Sequence, residues 1–284
     1  MSRLLAVLQV KCRRKPDFWM WLKWYCLYLK CDKIMIIDDD SPVSIIETLN
    51  EFRAQYTAPT EISVIRASLL ESAPDRQCRQ LRNANIGMLM LEPKPGDIVI
   101  TPDDDEFWWF DANVGDSFVD VYYKSTSAAC VTVPWMLISS KTPLKSRPAS
   151  SCYADVFDHV APNDYNETKF ILKYSGHPIS GMHYGHDRSV SLATGKPNTG
   201  FGYNYTECKY KVKAALPFKC YHFRTTTEAE YNAKMKRNIN DKKHTRFYAK
   251  GKTFYNFDKM MYKNWPGYTV QDDTVMQIMS TIVG

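Results

Sequence analysis

The sequence lacks any apolar run long enough to cross a bilayer as a helix. Its opening segment, MSRLLAVLQVKCRR, holds an apolar stretch that is too short for a signal peptide and is typical of a buried strand. No later segment is longer and equally apolar. These absences exclude an integral membrane protein as an interpretation, and we expect a soluble protein of the cytoplasm.

Zinc-binding and nucleic-acid-binding motifs are also missing. The chain has 8 cysteines, but none stand in CxxC pairs or another zinc spacing, which predicts free thiols in a reducing compartment. The basic residues are spread along the chain, so no nucleic-acid partner is expected. The net charge of +6 fits an anionic ligand such as a nucleotide without choosing among partners.

What the sequence does contain is a regular alternation of strand-like and helix-like segments up to residue 100. In 284 residues, 44% of them apolar, this pattern predicts an α/β fold. The expected architecture is a Rossmann-like, mostly parallel central sheet with helices on both faces. The predicted strands are Leu4–Val10, Lys33–Ile37, Glu61–Arg66 and Ile98–Ile100, and the predicted helices are Asp17–Leu29, Pro42–Phe52 and Asp75–Leu91.

Beyond Asp111 the pattern is looser. We expect one domain over residues 1–240 and a helical or irregular C-terminal extension over residues 241–284 that packs on it. No internal repeat is present. The predicted elements are β structure over Phe118–Val133, a polar loop over Lys141–Ser151, strands over Lys169–Tyr174 and Leu216–Phe223, and a helix over Thr225–Asn238.

Two groups of acids directly follow predicted strands: a first acidic cluster (Asp38–Asp40) and an acidic turn (Asp103–Glu106). Ligands of open α/β sheets bind at the carboxyl ends of strands, so the two groups should converge on one crevice. Asp103 and Asp105 could aim two carboxylates at Mg²⁺ or Mn²⁺, which bridges diphosphate oxygens. A solvated turn is the alternative, but the aromatics Phe107–Phe110 should hold this turn against the core.

The other candidates each have a structural alternative. A carboxylate of the first acidic cluster could bind a base or ribose, or Asp40 or Ser41 could cap the next helix. His183 and His222 are candidates for a further metal ligand, although a lone histidine is more often structural. Arg224, beside His222, is a natural phosphate partner.

Four segments, taken in order, resemble one family. WLKWYCLYLKCDKIMIIDDDS is similar to the pattern EWLEYHLLLGVDHIYIYDNDS, and DIVITPDDDEF is similar to WILFLDIDEF. TKFILKYSGHPISGMHY and CYHFRTTTEAEYNAKMKR resemble the family's later histidine-containing blocks. The family is that of the GT-A glycosyltransferases, in its family-2-like and family-92-like groups, which include soluble enzymes of microbes and chlorella viruses.

The resemblance implies an enzyme that transfers a sugar from a nucleotide-sugar donor, with inversion, to a hydroxyl of an oligosaccharide or glycoprotein glycan. A UDP-sugar is the expected donor, with UDP-xylose as one guess, and Mn²⁺ or Mg²⁺ is the expected cofactor. The residues carried over are Asp38 for the uridine, Asp40 for the ribose, Asp104 and Arg224 for the donor diphosphate region, and Asp103, Asp105 and His222 for the metal, with His183 as a competing ligand.

Inversion also requires a base near the acceptor hydroxyl. Asp155, Asp158 and Asp187 are the candidates, and spacing favours Asp155 or Asp158, because enzymes of this kind place the base after the metal acids and before the histidine. Either residue could instead cap a helix. The chain departs from the family at Cys12–Lys15, Met20 and Lys30, which concerns donor contacts near the N-terminus rather than the metal site.

Two other classes compete with this interpretation. A metal-dependent phosphohydrolase or nuclease also gathers acids at strand ends, but it usually needs two metals and more ligands in close motifs. A non-enzymatic carbohydrate-binding module could use the acids for Ca²⁺, although calcium loops space their acids with glycine.

Overall fold

The computed structural model of the chain describes most of residues 1–230 and a few beyond. The described residues are 1–12, 14–69, 76–111, 116–140, 144–157, 159–160, 163–164, 168–182, 185, 189–197, 208–209, 214–223, 227–230, 233 and 270–271. The C-terminal extension predicted over 241–284 lies almost entirely outside them, so the division at residue 240 stays a prediction. Of the helix predicted over Thr225–Asn238, residues 227–230 and 233 are described.

Four α-helices and thirteen strands are assigned in the described part of the chain. The helices are α1 (Lys15–Lys23), which continues as a π-helical turn (Trp24–Tyr28), α2 (Ile45–Gln55), α3 (Arg76–Met90) and α4 (Phe118–Ser125). The strands are β1 (Leu4–Val10), β2 (Lys33–Asp38), β3 (Glu61–Arg66), β4 (Ile98–Ile100), β5 (Glu106–Phe110), β6 (Cys130–Ser139), β7 (His159–Val160), β8 (Asn163–Asp164), β9 (Thr168–Lys173), β10 (Val190–Ser191), β11 (Cys208–Lys209), β12 (Phe218–His222) and β13 (Val270–Gln271). Short 3₁₀ turns cover Ala67–Leu69 and Tyr153–Asp155.

The centre of the sheet is parallel, in the order β3-β2-β1-β4. Beyond β4 the sheet continues through β9, β6, β7 and β13, and these neighbours pair antiparallel. β12 joins β6 in parallel and β5 in antiparallel orientation. The predicted α/β fold with a mostly parallel central sheet is confirmed.

Both faces of the sheet are covered, and β1 shows why. Its side chains alternate between two apolar clusters, with Leu4, Ala6 and Leu8 in one and Leu5 and Val7 in the other. Helices α1 and α2 cover the first cluster, and α3 covers the second. A strand buried on both faces must be apolar throughout, which is how this strand was visible in the sequence.

Helix α3 packs against the sheet at unusually short range. A Cβ built on Gly87 would lie 2.7 Å from Cγ1 of Val7 and 3.0 Å from Cδ1 of Ile37. Glycine therefore allows the helix backbone to approach β1 and β2. This contact sets the distance between α3 and the middle of β1.

Between residues 106 and 125 one sequence-based expectation fails and one strand was not predicted. The predicted β structure over Phe118–Tyr123 is wrong, because the segment is helix α4. Ser117 and Asp120 form a capping box, in which Ser117 Oγ accepts the N–H of Asp120 at 3.2 Å and Asp120 Oδ2 accepts the N–H of Ser117 at 3.0 Å. The aromatics after the acidic turn, which were not predicted as a strand, form β5.

No helix within the described ranges is both long and apolar enough to span a membrane.

Candidate functional site

The first acidic cluster and the acidic turn meet at one edge of the sheet. β1 lies between β2 and β4. After β1 the chain adds β2 and β3 on one side of it and then crosses to add β4 on the other side. The carboxyl end of β1 is therefore the topological switch point of the sheet. Val10 pairs with Asp38, and Gln9 forms a parallel bridge with Asp103. Two strand spacings separate the backbones of Asp38 and Asp103, or about 10 Å. The predicted convergence of the two acidic groups is therefore present.

The acidic turn closes on itself. The N–H of Glu106 donates to the carbonyl of Asp103 at 3.1 Å, and the N–H of Asp103 donates to Oε2 of Glu106 at 2.9 Å. Glu106 is completely buried and begins β5. Its other oxygen, Oε1, has no hydrogen-bond partner among the described residues. The fourth acid is therefore a structural part of the turn rather than a solvated charge.

A buried lysine neutralises part of this charge. Nζ of Lys169, in β9, lies 3.0 Å from Oε2 of Glu106 and 3.1 Å from Oδ2 of Asp103, and donates to the carbonyl of Thr101 at 3.2 Å. Burial tends to lower the pKa of Lys169, but the two carboxylates outweigh this effect and raise it, so the ammonium stays charged. Sequence reasoning missed Lys169. Its signal in the sequence was a lysine directly before the apolar run Phe170–Leu172.

His222, at the end of β12, lies beside the acidic turn. β12 pairs antiparallel with β5, which places His222 across from Glu106, and the N–H of Phe223 donates to the carbonyl of Asp105 at 2.9 Å. Nε2 of His222 lies 3.4 Å from Oδ1 of Asp105. The imidazole is buried against Trp135, with ring centroids 4.2 Å apart. We call these two side chains the Asp105–His222 pair.

Nε2 and Oδ1 of the Asp105–His222 pair are 3.4 Å apart, which is wider than an ideal octahedral pair of ligands but within reach of a common cation. Ligand atoms at about 2.1 Å from an octahedral ion, and at right angles, lie about 3.0 Å apart. Nδ1 of His222 is buried and has no hydrogen-bond partner in the described part of the chain, and Nε2 is the ring nitrogen that faces Asp105. No group of three or more His, Cys, Asp or Glu side chains suited to a metal occurs among the described residues. The pair would thus supply two ligands, and the remaining ligands would come from elsewhere.

The first acidic cluster is organised around the end of β1. Oδ1 of Asp38 accepts the N–H of Ser41 at 2.9 Å, and Oγ of Ser41 accepts the N–H of Cys12 at 2.8 Å. Asp40 is exposed and has a left-handed φ of 59°. The alternative that Asp40 or Ser41 caps α2 is wrong, because Ser44 is the N-cap and its Oγ accepts the N–H of Glu47 at 3.2 Å.

The pKa of Cys12 is affected by both acidic groups. Burial raises the pKa of its thiol to about 12, and the carboxylates of Asp104 and Asp38 add to the increase. Asp104 is half-buried in the acidic turn. Asp38 and Asp104, two of the residues carried over as donor contacts, therefore act electrostatically on the same thiol, two residues beyond the end of β1.

Of the two residues favoured as the catalytic base, the structure describes Asp155. Asp155 is exposed, and its Oδ2 accepts the N–H of Cys152 at 2.7 Å at the start of the 3₁₀ turn. This is the capping role that the sequence left open as its alternative. The assignments of four candidates that lie outside the described residues stay predictions: Asp158, Asp187, His183 and Arg224.

Comparisons with known proteins add little. No protein-family model and no curated protein match the sequence. Among solved structures, the chain is similar to the crystal structure of 4-diphosphocytidyl-2C-methyl-D-erythritol synthase, at 9% sequence identity and a TM-score of 0.31, over 61% of this chain and 76% of that one. A similarity this weak carries no conclusion about activity. The resemblance to the GT-A glycosyltransferases therefore stays a prediction.

Proposed function

We propose that the protein is a metal-dependent, inverting glycosyltransferase that moves a sugar from a nucleotide diphosphate donor to a hydroxyl group of a glycan. One observation carries the proposal: Asp38, Asp103 and the Asp105–His222 pair come together at the topological switch point of the sheet. Ligands of open α/β sheets bind at this point. The sequence resemblance supplies the reaction class.

The residues divide into those that would bind the cation and those that shape the turn. Asp105 and His222 would hold Mn²⁺ or Mg²⁺, because they present an oxygen and a nitrogen 3.4 Å apart, within reach of one cation. Asp103 is engaged by Lys169, so its role is to fix the turn and to offer its second oxygen. A bound divalent cation would take up the negative charge that develops on the departing diphosphate.

The donor would lie along the carboxyl ends of β1 and β2. Oδ1 of Asp38 is used by the turn, which leaves Oδ2 to accept hydrogen bonds from a uridine or ribose. Asp40 and Asp104 flank that position, and Arg224 would meet the diphosphate. We propose a UDP-sugar as donor, with UDP-xylose to be tried first, and Asp158 as the base, because the carboxylate of Asp155 already caps a turn.

The direct test is calorimetric titration of a panel of nucleotide sugars, with and without Mn²⁺, into the full chain and two variants. Asp105→Asn removes a charge from the proposed metal site at nearly constant volume. Glu92→Gln makes the same chemical change on an exposed residue near the start of β4, at the opposite edge of the sheet.

We expect the wild-type protein and Glu92→Gln to bind one UDP-sugar when Mn²⁺ is present, and Asp105→Asn to lose at least tenfold in affinity. Equal donor binding by Asp105→Asn and wild type would contradict the site. If no nucleotide sugar binds with metal present, while simple phosphoesters are hydrolysed, the phosphohydrolase interpretation replaces this one.

A further inference from the structure

A second group of charges, which the proposed function does not use, lies buried near the candidate site. We call it the Arg147 cluster, formed by Arg147, Asp17, Glu230 and the half-buried Arg14, which lies 3.6 Å from Asp17 and 3.4 Å from Glu230. The Arg147 side chain is 1% exposed. It donates two hydrogen bonds to the carboxylate of Asp17, at 2.7 and 2.5 Å, and one to Oε1 of Glu230 at 2.9 Å. Arg147 thereby ties the first turn of α1 to the chain segment that follows β12.

Glu230 is itself fixed at the beginning of that segment. Its Oε2 accepts hydrogen bonds from the N–H and the hydroxyl of Thr227, at 3.2 and 3.0 Å. Thr227 follows His222 by five residues. The Arg147 cluster therefore anchors the chain shortly after the histidine of the Asp105–His222 pair.

A stack of rings connects the cluster to the pair directly. The guanidinium carbon of Arg147 lies 4.5 Å from the ring centre of Tyr153. The ring of Tyr153 stacks on that of Phe223, with centroids 5.0 Å apart and planes inclined by 14°. Phe223 directly follows His222, and its N–H donates to the carbonyl of Asp105 at 2.9 Å. Arg147 is thus connected to both members of the pair through the side chains of Tyr153 and Phe223.

Stability alone is a poor reason for such a cluster. Removing charges from water is costly, and apolar replacements of buried ion pairs are often neutral or stabilising. What the cluster does provide is fixed geometry, because a guanidinium group is planar and binds a carboxylate through two parallel hydrogen bonds. The same plane lies against Tyr153 and sets the position of the ring stack.

We propose that Arg147 is a positioning residue, which acts through Tyr153 and Phe223 to hold Asp105 and His222 at the separation that a divalent cation requires. This inference rests on the proposed metal site. It extends that site by Arg147, Tyr153 and Phe223, and it assigns a role to a buried charge cluster that the proposed chemistry leaves unused.

Four variants separate positioning from general stability. Arg147→Lys keeps the charge but loses the planar fork, and Tyr153→Leu removes the ring from the stack. Tyr153→Phe keeps the ring and serves as the matched control for Tyr153→Leu. Arg3→Lys is the matched control for Arg147→Lys, because Arg3 binds Asp97 through Nη2 and Nε at 2.6 and 3.0 Å at the opposite edge of the sheet.

The probe is Mn²⁺ alone, titrated into the full chain, with free Mn²⁺ measured by electron paramagnetic resonance. We expect Arg147→Lys and Tyr153→Leu to bind Mn²⁺ about tenfold more weakly than wild type, the size of effect usual for groups that support a metal ligand. Tyr153→Phe and Arg3→Lys should bind as wild type does, even where Arg3→Lys lowers the melting temperature equally. Wild-type affinity in Arg147→Lys, or an equal loss in Arg3→Lys, would overturn the inference.

A readout without metal separates failure of this inference from failure of the proposed function. The ring ¹⁵N signals of His222, assigned by comparison with His222→Gln, report the position of the imidazole. If wild type binds no Mn²⁺, the proposed metal site fails. The positioning role is then supported by a shift of these signals in Arg147→Lys that is absent in Arg3→Lys, and overturned if they do not move.

Discussion

Replacing Lys169 by methionine should severely destabilise the protein. Methionine has a similar length, so the change removes a charge with little change of volume. In the wild-type protein Nζ lies 3.0 Å from Glu106, which is completely buried, and 3.1 Å from Asp103, whose side chain is 35% exposed. The variant leaves one of these carboxylates in an apolar interior without its cation.

The magnitude follows from those two burials. Removing one partner of a buried ion pair costs about 3–5 kcal/mol, because the other charge stays buried and unpaired. Asp103 adds less, since water screens a carboxylate that is about one-third exposed. We therefore expect the free energy of unfolding to fall by about 3–5 kcal/mol. Domains are stable by about 5–15 kcal/mol, so the loss is a large share of the total.

The assay is urea unfolding, followed by tryptophan fluorescence at pH 7, on the wild type, Lys169→Met, Glu106→Gln and the double variant. The double variant removes both charges, so it should be more stable than Lys169→Met despite carrying one more substitution. The interaction energy from this cycle should exceed about 1 kcal/mol, as expected for residues in direct contact. A loss below 1 kcal/mol in Lys169→Met, or simple additivity in the double variant, would refute the reasoning.

The same variant has a defined pH dependence. Burial raises the pKa of Glu106 above its ordinary value, and Lys169 opposes that increase in the wild type. Without Lys169, Glu106 keeps its proton in the folded state over a pH range in which it has lost that proton in the unfolded state, where its pKa is about 4.3. The stability of Lys169→Met should therefore fall as the pH rises from 5 to 8. A deficit relative to wild type that is constant over this range would contradict the assignment of the effect to Glu106.

Three further variants test the fold, each measured by urea unfolding. Asp97→Asn should cost about 1–3 kcal/mol at pH 7. Burial acts to raise the pKa of Asp97, but its hydrogen bonds with Arg3 outweigh burial and lower the pKa. The difference in stability between Asp97→Asn and wild type should therefore shrink as the pH falls below about 4. A difference that grew at low pH would refute this account. Gly87→Val should destabilise by about 1–3 kcal/mol, because the new side chain would overlap Val7, and wild-type stability would show that α3 can move away. Ser117→Ala should cost about 1 kcal/mol through loss of the cap of α4, and an unchanged midpoint would contradict that role.

The parallel half of the sheet could be predicted closely because its signals are local. The bounds of β1, β3 and β4 agree with those expected from the sequence, since each strand is an apolar run that polar or turn-forming residues interrupt. Helix α4 was mistaken for a strand because FVDVYY fits the period of two as well as the helical spacing of its buried residues 118, 121 and 122. The distinguishing signal was present as Ser117 three residues before Asp120, which is a helix start.

The sequence by itself determined the parallel strands, the order of the helices and the two acidic groups at strand ends, because hydrophobic period and chain direction require no knowledge of distant partners. Tertiary structure alone decided which charges meet. Lys169 reaches Asp103 because β9 pairs antiparallel with β4, and Arg147 reaches Asp17 across 130 residues of chain. Such contacts depend on strand register and loop path, which local sequence does not encode. For the same reason the acidic turn could be recognised early, while the cation that already neutralises part of it, Lys169, could not.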